Sequence, residues 1–112
     1  MHNQALEADD HRAALQYAIA AGVPAIQQAF DTYQRLRFIA RPSEFFALEL
    51  CGEVGELANL EKKRWRGTKV DETHVADEAA DVFIALMNYC NARGIDLDSA
   101  VRAKLDRIRP TR

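Results

Sequence analysis

EFFALELCGEVGELANLEKKRW, residues 44 to 65, sets Leu50, Cys51, Val54 and Leu57 at the three- and four-residue spacing of a helix, with Glu49, Glu53 and Glu56 among them. Upstream, ARPSEFF breaks the chain. Pro42 pushes Arg41 out of the helical region, and Ser43 reads as the N-cap with Glu44 beside the positive helix end. Downstream, RWRGTKVDET is polar and contains glycine, so it reads as a loop. Asp71 or Thr73 then caps a helix that closes at Arg93-Gly94, and Asp96 or Asp98 caps a last helix, about Leu97 to Ile108, terminated by Pro110. Before residue 44 the spacing predicts one helix over about 9 to 21 and another over about 24 to 39. Ala21-Gly22-Val23-Pro24 marks the break between them.

β-branched residues never alternate as a strand requires, so the fold class is all-α, a four-to-five-helix bundle. The chain of 112 residues suits one compact domain, divided here into an N-terminal helical extension, 1–22, and a helical domain, 23–112. Fifteen basic against seventeen acidic residues give a net charge of −2. No overall field would draw the chain to nucleic acid or an anionic membrane, so neither is expected as a partner. Cys51 and Cys90 show neither CxxC spacing nor a secreted disulfide pattern and read as buried free thiols. The N-terminal residues lack the basic and apolar regions of a signal peptide, and no stretch approaches membrane-spanning length; a cytoplasmic location is expected.

The carboxylates carry the chemistry. Each helical residue turns by roughly 100°, which places Glu49, Glu53 and Glu56 in one sector, and DEAADVFIALMN sets Glu78 and Asp81 one turn apart with Ala85 and Asn88 continuing the line. If the two helices pack antiparallel, both acidic columns face each other, and half-burying like charges requires something positive between them. Mg²⁺, with Mn²⁺ as the alternative, takes hard oxygen ligands and commonly binds carboxylates together with substrate phosphates. Gly52 and Gly55 each cost roughly 1 kcal/mol inside a helix relative to alanine, which points to close approach of a ligand or of a neighbouring helix. His2, His11 and His74 do not cluster and read as surface or capping residues.

GEVGEL followed, after a basic loop, by DEAADV resembles the MazG-like all-α nucleoside triphosphate pyrophosphohydrolases, including dUTPase-like and dCTP pyrophosphatase-like members, from about Ser43 to Arg109. The resemblance implies that Glu53, Glu56, Glu78 and Asp81 are the metal ligands. Gly52 stands where the family motif has its first Glu, and Glu49, one turn before Glu53, is the candidate stand-in as base or outer ligand. NLEKKRWRG is similar to the family's N-x-x-K-K segment, which makes Asn59 and Lys62 candidates for phosphate contact. Lys104 matches a lysine of the last helix, and Arg107 and Arg109 are weaker candidates.

Asn88 is the best amide for reading a base, with Phe38, Phe45, Trp65 and Tyr89 as candidate walls or core residues. The expected activity is Mg²⁺-dependent hydrolysis of the α–β phosphoanhydride of a nucleoside triphosphate, giving monophosphate and pyrophosphate, with Glu53 or Glu49 nearest the attacking water. Relatives assemble as dimers or tetramers, so a homodimer or homotetramer is expected. The competing readings are a nucleotide- or metal-binding module without turnover and an oligomerising scaffold.

Overall fold

The structure, a computed structural model, describes residues 2 to 108 as four α-helices: α1 His2–Arg37, α2 Ser43–Trp65, α3 Glu72–Arg93 and α4 Leu97–Arg107. No strand occurs among the described residues. α3 begins and ends, and α4 begins, where capping residues dictate. Asp71 accepts from the Thr73 amide at 2.9 Å to open α3, and Gly94 closes it in the left-handed region at φ 67°. Asp96 opens α4 by accepting from the Ser99 amide. Asp98, the other candidate cap, is instead buried against Arg102, which donates to both its oxygens at 2.7 and 3.1 Å. Pro110 and Arg109 lie outside the described residues.

Three boundaries differ from expectation, the first being that α1 begins at His2 and not at about residue 9. The N-cap position of α2 is Pro42, and Ser43 is the first helical residue; its hydroxyl donates to Glu44 Oε1 and caps nothing. The larger correction concerns residues 21 to 24, where no break occurs and α1 runs unbroken through Pro24. An interior proline costs a helix about 3 kcal/mol. One continuous inward stripe, Gln16, Ile19, Val23, Gln27, Phe30, Asp31 and Gln34, extends at three- and four-residue spacing on both sides of the proline, which itself stays exposed. Packing of that stripe outweighs the local signal.

α2 and α3 form the main packed pair, while α1 lies across α3 with its second half and along α4 with its first. Gln27 locks this crossing. Its amide donates to the Ile95 carbonyl and accepts from the Leu97 amide at 3.2 Å, satisfying an orphan donor at the start of α4, while Asn91 donates to the Gln27 carbonyl. At the other end Gln16 donates to the Arg102 carbonyl and to Asp106. Among the described residues, Phe46, Ala85, Met87 and Cys90 are the buried apolar ones, a small set. Cys51, expected inside, is exposed, because the side of α2 that carries it faces away from α3; Cys90 is buried as expected.

Candidate metal centre

The seam between α2 and α3 brings together Glu53, Glu78 and Asp81, three of the four expected metal ligands, with Glu56 exposed outside that group. The inward face of α2, Phe46, Leu50, Glu53, Leu57 and Leu60, meets a face of α3 that includes Val75, Glu78, Val82 and Ala85. Glu53, Glu78 and Asp81 each place an oxygen within 4.8 Å of the others. Glu78 is 7% exposed, and its Oε2 and Glu53 Oε2 are buried with no hydrogen-bond donor. Two carboxylates cannot satisfy each other without a shared proton or a cation.

The electrostatics record that conflict. Glu78, above all as a hydrogen-bonding neighbour, together with burial and the charges of Asp81 and Glu56, holds Glu53 up at about 7. Glu56, exposed at the edge of the seam, is also raised, chiefly by Glu78. Glu78 itself is held below the ordinary range by hydrogen bonding with Glu53, opposed by its own burial, and by its contacts with Glu56 and His74. His74 Nε2 lies 3.3 Å from Glu78 Oε1. His74 is exposed, as expected of a surface residue, and from its position one turn before Glu78 it also touches that carboxylate.

Glu49 lines the cleft beside Glu53, Asp81, Ile84, Ala85 and Asn88, so the stand-in position does reach the acidic group. Beyond Asn88 the cleft widens into a slot bounded by Gln34, Arg37, Phe38, Arg41, Phe45 and Phe46. Asn88 is buried and donates to Gln34 Oε1 at 3.3 Å. Gln34 was not singled out in the sequence because only the packing of α1 on α3 brings it there. Phe38 and Phe45 line this slot. Trp65, at 79% exposed, does not, and Tyr89 is half-buried without lining the slot.

The expected phosphate contacts are not gathered. Lys62 stands nine residues after Glu53, roughly half a turn around α2 and so on its opposite side, and Asn59 is exposed about 120° from Glu53. Lys104 is exposed on α4, which packs on α1 and contributes nothing to the cleft. Gly52 and Gly55 do not admit a close neighbour within the chain, since a Cβ at either would have no other atom within 4 Å.

The donor set is all hard oxygen with one imidazole at the edge, and its orphaned oxygens converge, which fits Mg²⁺ or Mn²⁺. Comparison with protein-family models, curated proteins and solved structures finds no match.

Proposed function

We propose that the α2–α3 cleft binds a divalent cation and that the chain is a Mg²⁺-dependent nucleoside triphosphate pyrophosphohydrolase. The observation that carries this reading is the buried Glu78 carboxylate, whose Oε2 lacks any donor and which has an oxygen within 4.8 Å of oxygens of Glu53 and Asp81. Burying such a group is costly unless a cation or a proton sits against it. Glu53, Glu56, Glu78 and Asp81 would hold the ion. When bound, it would supply the positive charge that neutralises the departing pyrophosphate.

The chain's own residues do the rest. Glu49, at the rim of the cleft next to Glu53, orients the attacking water and takes its proton. The slot beyond Asn88 receives the base between Phe38 and Phe45, with the Asn88–Gln34 amide pair facing its polar edge. Arg37 and Arg41 line the same slot and offer charge to the phosphates or sugar. Water adds to the α-phosphorus, the bond to the bridging oxygen breaks, and monophosphate and pyrophosphate leave. The free thiols Cys51 and Cys90 support a reducing cytoplasmic setting, and the sparse core supports a homodimer or homotetramer.

The test is to incubate the protein with canonical and modified nucleoside triphosphates plus Mg²⁺ and to assay pyrophosphate against orthophosphate. Pyrophosphate that disappears in Glu53→Ala and Asp81→Asn supports the enzyme. Tight nucleotide binding without product would favour the binding module, a reading that Gly52 in the motif position keeps in play.

A further inference from the structure

The net charge of −2 averages over an uneven distribution. Residues 62 to 69, KKRWRGTK, hold five of the fifteen cations and none of the seventeen acids, so this end of the α2–α3 pair is basic while the rest of the chain is acidic. Arg64 is engaged by Glu61, to which its guanidinium donates two hydrogen bonds. Lys62, Lys63, Arg66 and Lys69 have no ion-pair partner among the described residues. A helix C-terminus favours cations in its last turn, which accounts for Lys62 and Lys63. It does not account for Lys69, four residues past the end of α2, nor for the aromatic residue among these charges.

That residue is Trp65, the one tryptophan of the chain, left 79% exposed. Leaving so large an apolar side chain in water forgoes the stabilisation its burial would bring. The backbone around it is nevertheless fixed. The amides of Arg66, Gly67 and Thr68 donate to the carbonyls of Lys62, Arg64 and Lys63 at 3.0 Å, and Gly67 closes the turn at φ 97°. Every residue from Glu61 to Lys69 is exposed on this held turn. Lys62, Trp65 and Arg66 fall within about one helical turn of each other, and all stand roughly 120° or more around α2 from Glu53.

A flat aromatic face flanked by unpaired cations is what a single strand of nucleic acid needs, since a base stacks on the ring and the phosphates meet the charges. A duplex keeps its bases stacked on one another and offers the indole none. A lipid surface would need more apolar side chains than this loop presents: Trp65 is the only one between Glu61 and Lys69, Leu60 belongs to the inward face of α2, and Val70 is half-buried. We infer that the α2–α3 loop binds single-stranded nucleic acid, with an unpaired base on Trp65 and neighbouring phosphates on Lys62, Lys63, Arg66 and Lys69. Trp65 lies twelve residues beyond Glu53, about 18 Å along α2, so this surface is separate from the acidic cleft and depends on neither its metal nor its hydrolysis.

Because the chain has one tryptophan, its fluorescence reads this surface directly. Short oligo(dT) and oligo(U), titrated into the full chain at low salt with chelator present, should quench it. Contacts from four cations to a single strand give a slope of about −3 in log affinity against log salt concentration, and Lys62→Gln with Arg66→Gln should flatten it to about −1.5. Trp65→Ala, followed by the anisotropy of a labelled oligonucleotide, should weaken binding about 5-fold or more, and Trp65→Phe should recover part of the loss. Fluorescence unchanged by every oligonucleotide would overturn the inference. So would equal quenching by inorganic triphosphate, which carries no base, or by a duplex. A blue shift with phosphatidylserine vesicles while oligonucleotides stay silent would assign the loop to a membrane instead. Pyrophosphate release tests the cleft separately, and its absence would leave this result standing.

Discussion

Glu53 and Glu78 face each other across the α2–α3 seam, each with a buried Oε2 that no donor reaches, and Asp81 closes the same group within 4.8 Å. Most of what can be tested about this protein follows from how that repulsion is relieved.

Stability should depend on pH in a direction set by Glu53. Its carboxyl is held at about 7 in the folded chain against an ordinary value of 4.5. A raised acid stabilises the fold fully below the unfolded value, and that contribution is lost as pH rises through about 7. Glu78 is shifted the opposite way, so its contribution changes only below the ordinary carboxyl value and leaves this window untouched, while Glu56, raised like Glu53, acts in the same direction. Metal-free protein should therefore melt at a lower temperature at pH 8 than at pH 5.5, and millimolar Mg²⁺ or Mn²⁺ should recover the loss at pH 8. Melting curves with chelator and with metal check this, and a flat profile without a metal effect would count against the centre.

Glu53→Gln should separate stability from function. Replacing the raised carboxylate with a neutral amide removes charge repulsion and offers Glu78 a donor, so metal-free protein at pH 8 should melt no lower than the parent. Metal affinity measured by titration calorimetry should fall at least ~10-fold, in the range seen when groups supporting a metal site are removed, and pyrophosphate release should fall with it. A variant that binds Mn²⁺ as tightly as the parent would rule Glu53 out as a ligand.

His74 should act through Glu78. Its imidazole lies 3.3 Å from the Glu78 oxygen on the side away from the orphaned Oε2. His74→Ala should weaken Mn²⁺ binding by roughly 10-fold, as loss of an orienting partner commonly does, and His74→Gln should recover part of it. Equal affinities in all three proteins would leave His74 as a surface residue.

Gln27 should matter far from the cleft. Gln27→Ala removes the donor to Ile95 and the acceptor of the Leu97 amide, leaving partly buried backbone groups unpaired. A loss of roughly 1–3 kcal/mol in urea unfolding is expected, with metal affinity unchanged. A loss of affinity would show that the α1 crossing shapes the acidic centre directly.

Binding in the slot should be felt through Gln34 and Asn88. Gln34→Leu removes the partner of Asn88 Nδ2, and should raise KM for the preferred nucleotide about 10-fold or more, since an unpaired buried amide costs 1–3 kcal/mol, while affinity for metal alone is unchanged. Unaltered kinetics would place the base elsewhere.

The sequence by itself determined the helices whose ends are written in local chemistry. Asp71 and Gly94 open and close α3, and Asp96 opens α4, through contacts within a few residues, and those boundaries are legible without any fold. The acidic columns were equally legible, because helical spacing alone puts Glu53 near Glu56 and Glu78 near Asp81. Only the tertiary structure decided that Pro24 does not end α1, because the packed stripe on both sides of it outweighs a local penalty. It also decided which carboxylate is deeply buried, that Lys62 faces away from Glu53, and that Gln34 joins Asn88. Each of these depends on which side of one helix meets another, and periodicity gives a helix its faces without saying what each face will touch.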